Sequence, residues 1–241
     1  MTLNDDYLRN RSFLAEVQQR VISMILPRIP AKVSPRQMTM VGMSGALVGS
    51  IGLIGCNVSF LWLPVVTLGI AANWFGDSLD GALAHYRRED RSKFDFLIDR
   101  SCDLFSLMFL IAAFGLSPFL SLVAAMVILL CYLLFSSYTY IRAAARHDAQ
   151  MSYLGVGATE FRILMIAWAN IGALVGLREP FVDGISRLDI AVITLAATAI
   201  IGLAARAVLD ARQVAKEENA SLAALRPTRA PRSREANEAG R

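Results

Sequence analysis

Cysteine and histidine are scarce in this chain of 241 residues, which contains three cysteines and two histidines. The cysteines lie in or beside apolar stretches, without the spacing of metal ligands or of a disulfide framework, and are interpreted as small buried thiols (Cys56, Cys102 and Cys131). The N-terminus begins polar and acidic, so we expect no secretory signal. The formal net charge is only +4 and comes largely from a basic tail, so we expect no nucleic-acid partner.

Apolar side chains make up 55% of the sequence, and the mean hydropathy of +0.48 is too high for an ordinary soluble domain. Charged residues are concentrated between the apolar stretches, a pattern that predicts an all-α polytopic membrane protein. Six stretches approach the roughly 20 residues needed to cross the hydrocarbon core. They lie at about 38–57, 60–84, 100–116, 119–141, 160–177 and 189–208. The first carries small residues at helical spacing, which predicts close packing against another helix (Gly42, Gly45, Gly49 and Gly52).

Two regions flank the predicted transmembrane domain of residues 38–208. Residues 7–26 repeat apolar side chains at helical spacing opposite a charged side, which predicts an amphipathic helix lying in the membrane interface. This helix belongs to an N-terminal region of residues 1–37. Residues 209–241 are rich in Ala, Arg, Glu and Pro and are predicted to form a disordered basic tail.

The distribution of basic residues predicts the orientation of the chain. Lys and Arg number six before the first span, five in residues 85–100, three in 142–162 and eight after residue 205, against two in the 178–189 loop. The positive-inside rule then places both termini and the 85–100 and 142–162 connections in the cytoplasm. We therefore expect an integral protein of the bacterial inner (plasma) membrane, in contact with the lipid bilayer, with its active site on the cytoplasmic side.

Four aspartates form two helical pairs at the ends of apolar stretches. Asp77 and Asp80 are three residues apart and Asp99 and Asp103 are four apart, so the members of each pair share one helix face. Ionisable residues at the margin of a membrane span are costly and mark candidate functional sites. Four carboxylates that face one another need cations between them, and magnesium with phosphate oxygens completing its shell is the usual solution. The pattern predicts metal-dependent phosphate chemistry at a membrane surface.

The signature of the CDP-alcohol phosphatidyltransferases resembles this stretch, reading Asp-x2-Asp-Gly-x2-Ala-Arg, a short spacer, then Gly-x3-Asp-x3-Asp. Here the sequence is Asp77-x2-Asp80-Gly81-x2-Ala84-His85 and then Asp95-x3-Asp99-x3-Asp103. Ser34-Pro35 with Thr39 is similar to the start of the family's first span, although Arg36 replaces an Asn. Thr159-Glu160-Phe161-Arg162 is similar to a motif of some branches.

This resemblance implies a metal-dependent enzyme that transfers a phosphoalcohol group from a CDP-linked donor to an alcohol or lipid acceptor and releases CMP. Two Mg²⁺ or Mn²⁺ ions would be held by Asp77, Asp80, Asp99 and Asp103, and Asp103 would also act as the general base on the acceptor hydroxyl. The resemblance assigns donor contacts to Gly81, Ala84, His85, Asp95 and Thr39. It assigns the acceptor pocket to Arg142, Arg146 and Arg162. A homodimer is compatible with these assignments.

Two departures from the signature affect the donor side of the site. His85 stands where the family has Arg, which removes a fixed positive charge. Asp95 stands where the family has Gly and adds a carboxylate one turn before Asp99. Asp95 either faces the nucleotide, points to solvent, or pairs with Arg91, Lys93 or Arg100.

Other functions stay open at this point. The spacing Asp95-x3-Asp99-x3-Asp103 is also similar to the aspartate-rich helices of intramembrane prenyltransferases, which use magnesium to bind a prenyl diphosphate. A divalent-cation carrier is disfavoured because the aspartates lie at one lip of the membrane. A catalytically weakened family member acting as a membrane partner is a further alternative because of His85 and Asp95. The acceptor, and the choice between CDP-diacylglycerol and a CDP-amino alcohol as donor, also stay open.

Overall fold

A computed structural model of the chain describes residues 14–88, 93–146, 158–176 and 187–225, and these residues form helices without any β-strand. The all-α prediction is therefore confirmed for this part of the chain. The seven α-helices are α1 (Ala15–Ile25), α2 (Pro35–Gly55), α3 (Leu63–Tyr86), α4 (Lys93–Gly115), α5 (Leu122–Arg146), α6 (Ala158–Leu174) and α7 (Arg187–Leu225). Short 3₁₀ turns cover Leu26–Arg28 and Phe60–Trp62.

Helix α1 lies within the stretch predicted to be amphipathic, and residues 7–13 of that stretch fall outside the described residues. Its buried residue Ile22 packs with Leu79 and Ala82 of α3. The helix ends in the 3₁₀ turn that contains Pro27, because proline removes a backbone donor and disfavours helix in the residue before it. The amphipathic helix is thus anchored on the half of α3 that carries the first aspartate pair.

Helix α2 begins three residues earlier than the predicted first span, at a well-defined N-terminal cap. The Ser34 hydroxyl accepts a hydrogen bond from the backbone N–H of Gln37 at 3.3 Å, and the Gln37 side chain accepts one from the Ser34 N–H at 2.9 Å. Pro35 occupies the first turn, where a missing backbone donor costs nothing. This reciprocal cap fixes where the chain enters the helical bundle.

The central packing unit is the pair α2–α3, and α2 also packs against α4. The predicted glycine stripe lies in the α2–α3 contact, with all four glycines buried. A Cβ at Gly45 would lie 2.5 Å from the backbone nitrogen of Asn73 and 2.7 Å from the carbonyl oxygen of Gly69. Only glycine permits this backbone separation. Helix α6 packs on α3 and α5 packs on α4, around a core that includes Leu53, Ile70 and Leu110.

Four helical stretches are long and apolar enough to cross a membrane: Pro35–Gly55, Phe60–Tyr86, Leu122–Arg142 and Arg187–Asn219. Helices α4 and α6 coincide with two further predicted spans but are not both long and apolar enough to be counted with these four. Helix α4 carries several charged residues in its first half, and α6 is only 17 residues long. The membrane character of the chain is supported, whereas six spans are not established by these helices alone.

The chain divides into two compact units, residues 1–197 and 198–241. The first contains α1 to α6, the beginning of α7 and all the predicted site residues. In the second, α7 continues to Leu225, which differs from the prediction of a disordered tail from residue 209. Residues 209–225 are rich in Ala, Leu and Glu, which are strong helix formers, and this propensity accounts for the extension. Residues 226–241 lie outside the described part of the chain.

We predict that Gly45→Ala destabilises the protein by about 1–3 kcal/mol, because the added methyl group must push apart two backbones that are already in contact. The measurement is the temperature at which half of the detergent-purified protein leaves the monodisperse peak on size-exclusion chromatography. Gly202→Ala is the matched control, because a Cβ at this helical glycine of α7 meets nothing within 4 Å. Equal stability of both variants would contradict the assigned packing.

Candidate functional site

The structure brings the four predicted aspartates together in two facing pairs. The carboxyl group of Asp77 contacts that of Asp103, and the carboxyl group of Asp80 contacts that of Asp99. The earlier residue of α3 pairs with the later residue of α4, as antiparallel neighbouring helices require. Asp80 and Asp99 are buried, at 2% and 3% exposure, whereas the side chains of Asp77 and Asp103 are each 21% exposed.

A buried arginine neutralises part of this negative charge. Arg162 of α6 is 2% exposed, and its Nη1 donates to Oδ2 of Asp77 at 2.6 Å. Its Nε donates to the side-chain oxygen of Asn73 at 2.7 Å, while the Asn73 amide nitrogen donates to the Gly42 carbonyl at 2.9 Å. Arg162 therefore lies inside the aspartate cluster. The role in an acceptor pocket that the resemblance implied for it stays a prediction.

A second arginine approaches the cluster from α4 itself. Arg100 places Nη1 3.6 Å from Oδ2 of Asp103 and Nε 3.8 Å from Oδ2 of Asp99. At these distances Arg100 acts on the two carboxyl groups as a nearby positive charge. Arg100 was also one of the partners expected for Asp95, and this pairing stays a prediction.

Thr39 of α2 closes the cluster from a third helix. Its hydroxyl donates to Oδ2 of Asp80 at 2.9 Å, and Oδ1 of Asp80 accepts from the backbone N–H of Gly81. The space among these groups is also lined by Asn73 and Ser106, and it leaves no room for a water molecule. Within the described ranges, no three His, Cys, Asp or Glu side chains are disposed as ligands around one metal position. The carboxyl groups contact one another instead.

A separate open cleft of about 310 Å³ adjoins this cluster, with Thr39 common to both. It is lined by Ser34, Pro35, Arg36, Thr39, Ala84, Asp95 and Ile98. Two of the predicted donor-binding residues, Ala84 and Asp95, thus line the cleft together with Thr39. Gly81 contacts Asp80 at the inner cluster, and His85 is exposed and is not among the residues that line the cleft.

Asp95 lines this cleft and forms an ion pair with a residue that the sequence did not connect with it. Oδ1 of Asp95 accepts a hydrogen bond from Nη2 of Arg36 at 2.7 Å. Of the partners considered for Asp95, the side chains of Arg91 and Lys93 lie outside the described residues. Asp95 therefore faces the cleft and has a basic partner at the same time.

The remaining predicted acceptor residues lie on α5. Arg142 is buried, at 8% exposure, and the side chain of Arg146 lies outside the described part of the chain. Tyr132, on the same helix, is near Asp103 and Arg162. Helix α5 thus contributes to the surroundings of the cluster through Tyr132.

Sequence reasoning missed Asn73, Arg36 and Arg100 as members of the site. A signal existed for Asn73, which is a polar residue in an apolar stretch and lies four residues before Asp77, on the same helix face. Nothing in the spacing of Arg36 and Asp95 connects them, because they are 59 residues apart and meet only through the packing of α2 on α4.

No known protein-family model matches this chain, and no curated protein matches it significantly. The family resemblance of the aspartate motif therefore stays a prediction from the sequence.

We predict that Arg162→Gln destabilises the protein by about 3–5 kcal/mol, because it leaves Asp77 in the cluster without its hydrogen-bonded counter-charge. Arg162→Lys keeps the charge but loses the fork that bridges Asp77 and Asn73, so its stability should fall between those of the wild type and Arg162→Gln. Thermal stability in detergent measures both. Arg206→Gln, on an exposed position of α7, is the control. An Arg162→Gln variant as stable as this control would remove the assigned ion pair.

Proposed function

We propose that this protein is a metal-dependent CDP-alcohol phosphotransferase that transfers a phosphoalcohol group from a CDP-linked donor to an acceptor hydroxyl and releases CMP. The observation that carries the proposal is the contact of two carboxyl pairs across α3 and α4, at the positions that resemble the family signature. In each pair the two carboxyl groups are in hydrogen-bonding contact, which requires a shared proton, and a divalent ion can take the place of these protons. Such an arrangement favours additional cations.

The donor atoms of the cluster suit Mg²⁺ or Mn²⁺. Carboxylate and hydroxyl oxygens are hard ligands, which these ions prefer. The inner space is also lined by two sulfur-containing side chains, Met43 and Cys102. Asp77, Asp80, Asp99 and Asp103 would hold the two ions, and the facing carboxyl groups would separate to admit them. Bound divalent ions neutralise phosphate oxygens and orient a diphosphate for displacement at phosphorus.

The chain's own residues have distinguishable parts in this chemistry. Asp103 is the exposed member of its helical pair, with 21% side-chain exposure against 4% for Asp99. It is therefore the α4 carboxylate that an acceptor can reach. In the proposed reaction the acceptor hydroxyl gives its proton to Asp103, and its oxygen forms a bond to phosphorus as the bond to the CMP oxygen breaks. Asp80, held by Thr39 and Gly81, keeps a fixed position in the inner cluster, next to the cleft that Thr39 also lines.

We also propose that α2 to α7 make six membrane spans with both termini in the cytoplasm. Helix α6 exposes several large apolar side chains, among them Leu164, Ile171 and Leu174, which suits contact with lipid. In α3, the helical stretch from Phe60 has 27 residues and a length of about 40 Å, which exceeds the roughly 30 Å hydrocarbon core. Asp77 and Asp80 lie in its C-terminal half and can reach the polar boundary.

The weakened-enzyme alternative has one specific observation in its favour. Arg162 is hydrogen-bonded to Asp77, and the space between the carboxyl groups has no room for water. The helices or side chains must therefore move before a donor diphosphate can approach all four carboxylates. A membrane partner that no longer needs turnover would tolerate a permanently closed cluster. The activity measurement below separates the two functions.

We expect the purified protein to release CMP from a CDP-linked donor in the presence of Mg²⁺ or Mn²⁺, and to lose this activity in EDTA. Asp103→Asn should abolish turnover and weaken metal binding only in part, because it removes the base. Asp80→Asn should impair metal and donor binding together. The assay crosses CDP-diacylglycerol and CDP-amino alcohols with soluble alcohol and diacylglycerol acceptors.

Glu218→Gln, on an exposed position of α7, is the matched control and should retain full activity. Release of pyrophosphate from a prenyl diphosphate would identify the prenyltransferase alternative instead. Full CMP release by either aspartate variant would remove the catalytic assignment, and no release with any donor would favour the role of a membrane partner.

A further inference from the structure

The cleft beside the aspartate cluster has one charge of each sign at its rim. Arg36 and Asp95 line it from α2 and α4, and Thr39 joins it to the inner carboxyl groups through the hydrogen bond to Asp80. A molecule in this cleft would therefore reach Thr39, which borders the inner carboxyl groups. A volume of about 310 Å³ is within the range of small-ligand sites.

The Arg36–Asp95 ion pair is short but exposed. The N–O distance is 2.7 Å, and the side chains are 55% and 37% exposed. Exposed ion pairs contribute little to stability and are readily exchanged for other partners. The guanidinium of Arg36 also lies 5.3 Å from the centroid of the Phe94 ring, a cation–π contact that keeps its plane oriented at the rim.

The backbone that carries Arg36 is fixed from both sides. The Ser34–Gln37 cap holds the first turn of α2, and Arg87 at the end of α3 donates to the carbonyl oxygens of Pro30, at 2.9 Å, and Val33. Exchange of partners by Arg36 therefore needs only a side-chain rotation. The backbone of Arg36 is therefore fixed, whereas its guanidinium group is held by an exposed ion pair that another anion can replace.

We propose that the Arg36–Asp95 pair is a latch over this cleft, and that the phosphate groups of a bound nucleotide displace Asp95 from Arg36. A planar guanidinium binds phosphate oxygens in two-pronged fashion and prefers them to a solvent-exposed carboxylate. In the ligand-free chain Asp95 holds the place of the phosphate. The choice of a nucleotide as ligand rests on the proposed function, and CDP is therefore the probe. In this inference Arg36 is the residue that selects a ligand with phosphate groups.

The test is a double-mutant cycle on the affinity for CDP, measured by isothermal titration calorimetry on the full chain in detergent with saturating Mg²⁺. Asp95→Asn frees Arg36 and should lower the Kd about two- to fivefold. Arg36→Gln should raise the Kd about tenfold. In the double variant the gain from Asp95→Asn should vanish, so that its Kd equals that of Arg36→Gln alone. Asp95→Ser serves as a second variant in case Asp95→Asn does not fold.

Simple repulsion of the diphosphate by Asp95 gives a different pattern. Removal of the carboxylate would then improve binding as much, or more, in the Arg36→Gln background, and this result would overturn the latch. An unchanged or raised Kd in Asp95→Asn, or no binding of CDP to the wild type, would also overturn it. Arg28→Gln removes an exposed cation that does not line the cleft, and the Kd of this variant should equal that of the wild type.

The proposed function is judged separately, by release of CMP. If the Kd values follow the predicted cycle but no CMP is released, the latch stands and the phosphotransferase function is rejected. If CMP is released but the effects of the two substitutions on Kd are additive, the phosphotransferase function stands and the latch is rejected.

Discussion

The contact of carboxyl groups across α3 and α4 is the constraint on which the rest of this site depends. Asp80 and Asp99 are almost completely buried, and burial of like charges is costly unless cations or protons lie between them. The protein supplies Arg162 from α6 and Arg100 from α4, each in contact with only part of the cluster. Divalent ions that replace the protons shared within the two carboxyl pairs would account for the proposed metal affinity of the site.

The packing of the apolar helices brings the four aspartates together. Helix α2 packs on both α3 and α4, and its glycines let the α3 backbone approach so closely that Asn73 can bond to the Gly42 carbonyl. Asn73 in turn holds Arg162, and Thr39 of α2 holds Asp80. The same glycine contact that stabilises the helix pair therefore also sets the position of the first two aspartates.

Local patterns in the sequence predicted much of this architecture. Hydropathy located α2 to α7 and the spacing of the aspartates placed each pair on one helix face, because both depend on residues close in sequence. Local spacing could not predict the ion pairs, because the partners are distant in sequence. Arg36 is 59 residues from Asp95 and Arg162 is 85 residues from Asp77, so only the packing of the helices brings them together. The helical extension to Leu225 differs from the predicted tail because polar composition alone does not prevent a helix where Ala, Leu and Glu are frequent.

The claim that the paired aspartates hold metal can be tested directly by electron paramagnetic resonance of Mn²⁺ titrated into the purified chain. The account predicts that the six-line signal of free Mn²⁺ is suppressed until about two ions per chain have been added, and that the bound ions show mutual spin coupling because they share one carboxylate cluster. Asp80→Asn should abolish the coupling. A free-ion signal that grows in proportion to added Mn²⁺ from the start would contradict the metal site and with it the proposed chemistry.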